Sequence, residues 1–100
     1  MTPVRFHEAA LAELAHEVRH YTEISPLLGE RFTMAAEKAV AIAAEFPGMG
    51  APHKHGTRRT FTKRFPFSVI YLYRSGEVYI LAIAPDDRKP GYWRSRVAKE

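Results

Sequence analysis

The sequence predicts an α+β fold of two layers, in which an antiparallel helical hairpin packs on a mainly antiparallel sheet of about four strands. In the first half of the chain, apolar residues recur at steps of three and four, which is the helical period. After residue 57 the period falls to two, which is typical of strands. With 100 residues, 46% of them hydrophobic, the chain can bury one two-layer core. We therefore expect a single domain over residues 1–100.

The first elements are a short strand and a helix. Val4 to Phe6 is predicted to be extended, and His7-Glu8 begins a helix whose acidic first turn lies at the positive end of the helix dipole. The spacing predicts that this helix covers residues 8–24. Its apolar stripe consists of Leu11, Leu14, Val18 and Tyr21.

A second helix is predicted at residues 27–46. Ser25 suits the N-cap, and Pro26 suits the first helical position, where its missing N–H costs nothing. Because few residues separate the two helices, we expect an antiparallel hairpin with Phe32 and Ile42 in its core. The full stripe is Leu28, Phe32, Ala35, Ala39, Ile42 and Phe46.

Three strands follow a loop at residues 46–56 that is rich in proline and glycine. The strands are predicted at residues 58–62, 67–74 and 77–84. Ser75-Gly76 should join the last two as a hairpin. Both faces of these two strands are largely apolar, so one face can pack on the helices. The other face, edged by basic residues, is a candidate working surface, and a short C-terminal segment ends the fold.

The two halves of the chain carry opposite charge. Residues 1–50 hold four Lys/Arg and seven Asp/Glu, a net of −3, whereas residues 51–100 hold eleven and four, a net of +7. Aromatic residues stand between the cations of the basic half. Such a patch attracts nucleic acid or an acidic polypeptide, because neighbouring charges add into a local field. A solvated basic face without a partner is the alternative.

The composition excludes several kinds of site. The chain has no cysteine, and hence no disulfide or thiolate ligand. His16 and His20 stand four apart, but no third ligand completes a recognisable site, so we expect neither a metal nor another cofactor. No apolar run approaches the ~20 residues of a membrane span, and the N-terminus lacks a signal pattern. We therefore expect a cytoplasmic protein without membrane contact.

Six segments, in order and at consistent spacing, resemble the RelE/ParE superfamily, the toxins of bacterial toxin–antitoxin pairs. They are FHEAA at 6–10, LGERF at 28–32, EFP at 45–47, RR at 58–59 with RFPFSVIY at 64–71, ILAIA at 80–84, and RKPGYW at 88–93. The resemblance implies a growth inhibitor that an acidic antitoxin neutralises in a hetero-oligomeric complex. The antitoxin contacts are expected to include Arg58, Arg59, Arg64 and Arg74.

The superfamily contains two activities. RelE-like members cut messenger RNA on the ribosome without a metal, and for that activity the resemblance implies Lys63, Arg64, Arg88 and Tyr92 as catalytic candidates. ParE-like members inhibit DNA gyrase and need only a contact surface. For that activity the resemblance implies Arg88, Tyr92, Trp93 and Arg94 as target-binding residues.

Asp86 and Asp87 favour the gyrase reading. Two carboxylates beside Arg88 and Lys89 would weaken the field that a nuclease needs around a phosphate, although the pair also fits a simple polar turn after the strand. We therefore expect a non-enzymatic toxin that binds gyrase. The ribosome-dependent nuclease is the first alternative, and a non-toxic module that binds an antitoxin or nucleic acid is the second.

Overall fold

The computed structural model describes residues 2–97 and confirms the α+β class. Two 3₁₀ turns, Pro47–Met49 and Lys54–Gly56, lie in the loop that the sequence predicts at residues 46–56. The elements in chain order are β1 (Val4–Phe6), α1 (Glu8–Ile24), α2 (Pro26–Glu45), β2 (Ala51–Pro52), β3 (Arg58–Phe61), β4 (Phe67–Arg74), β5 (Glu77–Pro85) and α3 (Arg94–Val97).

Within residues 2–97 the sheet has five strands in the order β1-β5-β4-β3-β2, one more than expected. β1 pairs with β5 in parallel, and the other pairs are antiparallel. The additional strand is β2, where Ala51 and Pro52 pair with Arg59 and Arg58. Two residues are too short to show a period of two, and their proline and glycine neighbours predict a loop.

Ser25 joins the two helices, as the sequence predicts. Its backbone N–H donates to the Tyr21 carbonyl at the end of α1, and its Oγ accepts from the Leu28 N–H at the start of α2. Gly29 then lets the helices approach, because a Cβ at this position would overlap the Thr22 side chain. The hairpin is therefore fixed by one capping residue and one close backbone contact.

The core between helices and sheet is built around Phe32, which is 0% exposed. Its ring lies 5.0 Å from that of Tyr21 and 5.3 Å from that of Phe67, measured between centroids. The buried residues of α2 are Gly29, Phe32, Ala36, Ala39, Ala43 and Ala44.

The predicted stripe was wrong at several positions. Ile42 on α2 is 40% exposed, Phe46 directly after α2 is 51% exposed, and Leu11 on α1 is 50% exposed. The helical period alone places these large apolar side chains in the interior. At the contact, however, the close approach of the backbones leaves room for alanine, so Ala36 and Ala43 occupy it instead.

The second face of the sheet is also covered, which corrects the prediction of an open working surface. Ile70, Leu72 and Leu81 form a second core with Trp93 of the C-terminal segment, which is residues 88–97. Trp93 is 1% exposed, so the expectation that it belongs to an exposed contact surface was wrong. Among residues 2–97, no helix is long and apolar enough to cross a membrane.

We expect Phe32→Ala to lower the free energy of unfolding by about 3–5 kcal/mol, since it empties the aromatic core. Ile42→Ala should cost about 1 kcal/mol or less, because the side chain keeps much of its contact with water. Urea unfolding of both variants measures the difference. Equal losses of unfolding free energy would contradict the burial of Phe32 and the exposure of Ile42.

Candidate functional site

Glu13 of α1 connects the C-terminal segment to the rest of the fold. Its Oε2 accepts from Tyr92 Oη at 2.8 Å and from Arg96 Nη2 at 3.0 Å, and its Oε1 accepts from Arg96 Nη1 at 3.0 Å. The Glu13 and Arg96 side chains are 20% and 16% exposed. A bidentate pair with so little contact with water fixes orientation as well as distance.

The same two side chains complete the edge of β5. β1 pairs with β5 only from Val78 to Ile80. Beyond that point the Ile83 N–H donates to Glu13 Oε1 at 3.0 Å, and the Leu81 carbonyl accepts from Arg96 Nη1 at 2.9 Å. Side chains thus satisfy the backbone groups that a longer first strand would have paired.

Arg88 is exposed and stacks on the half-buried ring of Tyr92. The guanidinium carbon of Arg88 lies 3.7 Å from the centroid of the Tyr92 ring. Burial, followed by the hydrogen bond and charge of Glu13, raises the pKa of Tyr92 well above its usual value. Tyr92 is therefore a poor proton donor near neutral pH, and it holds Arg88 in place.

A cleft of about 290 Å³ separates the C-terminal segment from the ends of β3, β4 and β5. Its charged lining consists of Arg59, Arg88, Lys89 and Asp86. The remaining lining residues are His53, Phe61, Ser68, Ile70, Ala84, Pro85, Pro90, Tyr92 and Trp93. The cleft is therefore partly apolar and mainly cationic.

Asp86 and Asp87 form a turn after β5, as the polar-turn interpretation predicts. The Asp86 N–H donates to the Pro66 carbonyl at 2.8 Å, and Asp86 Oδ1 accepts from Ser68 Oγ at 3.1 Å. The Asp86 carboxylate thus faces the cleft from one wall and stabilises the turn.

The loop with His53 and His55 packs against the C-terminal segment. The two imidazole centroids lie 5.7 and 5.9 Å from the Trp93 ring. Burial lowers the pKa of His53, and the positive charges of Arg59 and Lys54 lower it further. Among residues 2–97, no three His, Asp or Glu side chains group so that they could hold a metal ion, and His16 and His20 remain on an exposed part of α1.

The four arginines expected to contact an antitoxin lie in different places. Thr60 Oγ1 donates to the Ala39 carbonyl of α2, so Arg58, two residues earlier on β3, is on the helix-facing side, where its Nη1 donates to the Gly50 carbonyl at 2.8 Å. Arg59 points to the opposite face and lines the cleft. Arg64 belongs to the turn between β3 and β4, and Arg74 ends β4.

The nuclease candidates also divide into two groups. Lys63 and Arg64 line a hollow beside Leu28 and Arg31 of α2. Arg88 and Tyr92 line the cleft on the other face, whose lining does not include the first pair. Arg94 is exposed at the start of α3. The structure therefore brings together Arg88 and Tyr92, with Trp93 beneath them.

Sequence reasoning missed Glu13 and Arg96. Glu13 stands three residues after the buried Ala10, which places a carboxylate beside the buried stripe of α1. A charged residue at such a position often has a buried partner. That pattern was the available signal, but it did not identify Arg96.

A family model described as "ParE toxin of type II toxin-antitoxin system, parDE" matches residues 4–90. The chain belongs to the ParE toxin family. It is a ParE-type toxin of a type II toxin–antitoxin system, which confirms the resemblance and its ParE-like branch. Such a system implies an antitoxin as partner.

A solved structure gives a second comparison for this ParE-type toxin. It is titled "Chromosomal ParDE TA system from P. aeruginosa", and one of its chains superposes with a TM-score of 0.74 at 25% sequence identity. The match covers 85% of this chain and 96% of that one. Among curated proteins, no relative matches this chain.

We expect Glu13→Gln to destabilise the ParE-type toxin by about 2–3 kcal/mol, because Arg96 loses its counter-charge in a largely buried position. Glu23→Gln is the matched control, since Glu23 is exposed on the same helix. It should change stability by no more than about 0.5 kcal/mol. Urea unfolding of both variants measures the two changes in the free energy of unfolding. If the Glu13 and Glu23 variants lost equally little stability, the contacts of Glu13 with Tyr92 and Arg96 would not stabilise the fold.

The contribution of Tyr92 should depend on pH. Its pKa is raised in the folded protein, chiefly by burial and by Glu13, against the opposing charges of Arg96 and Arg88. The stability that Tyr92 adds over Tyr92→Phe is therefore constant below pH 10.0, the ordinary tyrosine pKa, and decreases above it as the unfolded state ionises. Unfolding curves of both proteins at several pH values test this. A difference that stays constant up to about pH 11 would contradict it.

Proposed function

We propose that this ParE-type toxin arrests growth in the cytoplasm by binding and inhibiting DNA gyrase. Arg88, Tyr92 and Arg94 form the contact surface, and Trp93 supports it from below. The observation that carries the proposal is that the Tyr92 hydroxyl donates to Glu13 while Arg88 stacks on the Tyr92 ring. These groups build a rigid surface rather than an acid–base pair.

A fixed surface of this kind suits protein recognition. Arginine and tyrosine are among the residue types that dominate binding energy at interfaces. Because Glu13 and Trp93 hold the segment before any partner arrives, binding loses little free energy to ordering it. No proton transfer is required of any residue on it.

The same contacts weigh against ribosome-dependent cleavage of messenger RNA. Attack by a 2′-hydroxyl needs a base, an acid for the leaving oxygen and cations around the phosphorus. Tyr92 is a poor acid here because its pKa is raised, and Lys63 and Arg64 line a different hollow from Arg88. The nuclease reading would have to assemble its groups from two separate places.

The antitoxin is proposed to be an acidic protein with a segment that folds as it wraps the toxin. Arg58, Arg59, Arg64 and Arg74 are the proposed contacts. Arg58 and Arg59 point to opposite faces of β3, and Arg64 and Arg74 lie at opposite ends of β4, so an extended segment can reach them more readily than a compact partner can. Electrostatic attraction would speed its capture.

The discriminating experiment uses purified toxin in two assays: plasmid supercoiling by gyrase, and message integrity on programmed ribosomes. We expect inhibited supercoiling and intact message. Arg94→Ala should raise the inhibitory concentration about tenfold, as truncation of an interface arginine does. Arg19→Ala, which removes an exposed cation from α1, is the control and should leave it unchanged.

Cleavage of message at codon positions with unaffected gyrase would overturn the proposal and return Lys63, Arg64, Arg88 and Tyr92 as catalytic candidates. Inactivity in both assays, with binding to the product of the adjacent gene retained, would instead identify a non-toxic binding module.

A further inference from the structure

Arg59 holds a donor that the fold leaves unpaired. Its Nε lies buried and has no hydrogen-bond partner within residues 2–97, while its guanidinium carbon stands 5.1 Å from the centroid of the Phe61 ring. A buried N–H without a partner raises the free energy of the folded state. A small rotation of the Arg59 side chain would relieve this if an acceptor entered the cleft that it lines.

The surroundings of Arg59 favour an anionic acceptor. Arg59, Arg88 and Lys89 line the cleft against one carboxylate, Asp86, so three positive charges face one negative charge. Asp86 already accepts a hydrogen bond from Ser68. Burial is the main cause of the lowered pKa of His53, and the further lowering by Arg59 and Lys54 agrees with a positive potential at this wall.

The shape and lining of the cleft favour a carboxylate on a peptide over a phosphate. Phe61, Ile70 and Ala84 supply apolar surface for the methylene groups of an acidic side chain. A guanidinium also matches a carboxylate in planar, two-point geometry.

We propose that this cleft receives a glutamate or aspartate side chain of the antitoxin, and that the carboxylate pairs with Arg59 and Arg88. The proposal rests on the proposed function, since it names where the antitoxin inserts. Arg88 also belongs to the surface proposed to bind gyrase. The antitoxin therefore neutralises the toxin by direct competition for Arg88, and gyrase and antitoxin cannot both be bound there.

The test is a titration of ¹⁵N-labelled toxin, followed through the Nε–Hε signals of its arginines. The probes are the peptide acetyl-Ala-Glu-Ala-amide, its Gln counterpart, and adenosine 5′-monophosphate. We expect the Arg59 and Arg88 signals to move with the Glu peptide, and the Gln peptide to bind at least tenfold more weakly. Arg59→Lys keeps the charge but loses the fork, so it should weaken binding of the Glu peptide at least tenfold. Arg19→Lys on exposed α1 is the matched control and should bind as the wild type does.

Three outcomes would overturn the proposal. Equal shifts with the Gln peptide would mean that the carboxylate is not recognised. Tighter binding of the nucleotide than of the Glu peptide would indicate a nucleic-acid cleft. An Arg59 signal that stays unmoved at the highest soluble peptide concentration would mean that the cleft takes no carboxylate, and this reading of the wild type holds even if Arg59→Lys fails to fold.

The titration also separates this proposal from the proposed function, because it uses the toxin alone. Peptide binding without inhibition of gyrase would leave the cleft assigned and remove the gyrase target. Inhibition of gyrase without peptide binding would support the gyrase target and overturn the carboxylate site in the cleft.

Discussion

The Glu13 carboxylate is the contact on which the arrangement of this toxin depends. It accepts hydrogen bonds from a backbone N–H of β5, from Tyr92 and twice from Arg96. Withdrawing a carboxylate and a guanidinium from water is costly, and only such complete pairing offsets the cost. The four residues of α3 within the described range 2–97 cannot hold a helix together by themselves, because helix initiation is unfavourable and propagation needs length. Glu13 and Trp93 therefore fix residues 92–96 against the fold, Glu13 through polar contacts and Trp93 through apolar burial.

The C-terminal segment covers the second face of the sheet, so a partner can contact this segment but not the sheet face beneath it. Trp93 fills the apolar face, so the neighbouring residues Arg88, Tyr92 and Arg94 are carried at its outer side. The cleft remains where this segment does not reach the ends of β3 and β4. Arg88 lines that cleft and also stacks on Tyr92. It therefore belongs both to the proposed target surface and to the proposed antitoxin subsite.

The opposite charges of the two halves of the chain partly pair with each other inside the fold and partly remain on its surface. Glu13 comes from the acidic half and Arg96 from the basic half, so part of the asymmetry is neutralised inside the fold. The rest does not form one patch, because successive residues of a strand point to opposite faces. Arg58 and Arg59 are neighbours in sequence, yet one donates to Gly50 on the helix-facing side and the other lines the cleft. A partner that binds both Arg58 and Arg59 must therefore contact both faces of the sheet.

The sequence by itself determined the elements whose signals are local. It predicted α1 at 8–24, as observed, and α2 within one residue at each end, because Ser25, Pro26 and the helical period act over a few neighbouring residues. Strand β4 and its turn into β5 were predictable for the same reason. Only the tertiary structure decided that Ala43 rather than Ile42 is buried, that Ala51 and Pro52 form a strand, that Trp93 is covered and that Glu13 binds Tyr92 and Arg96. The contacts of Glu13 join residues 70 to 83 positions apart, and no local period records a pairing over that distance.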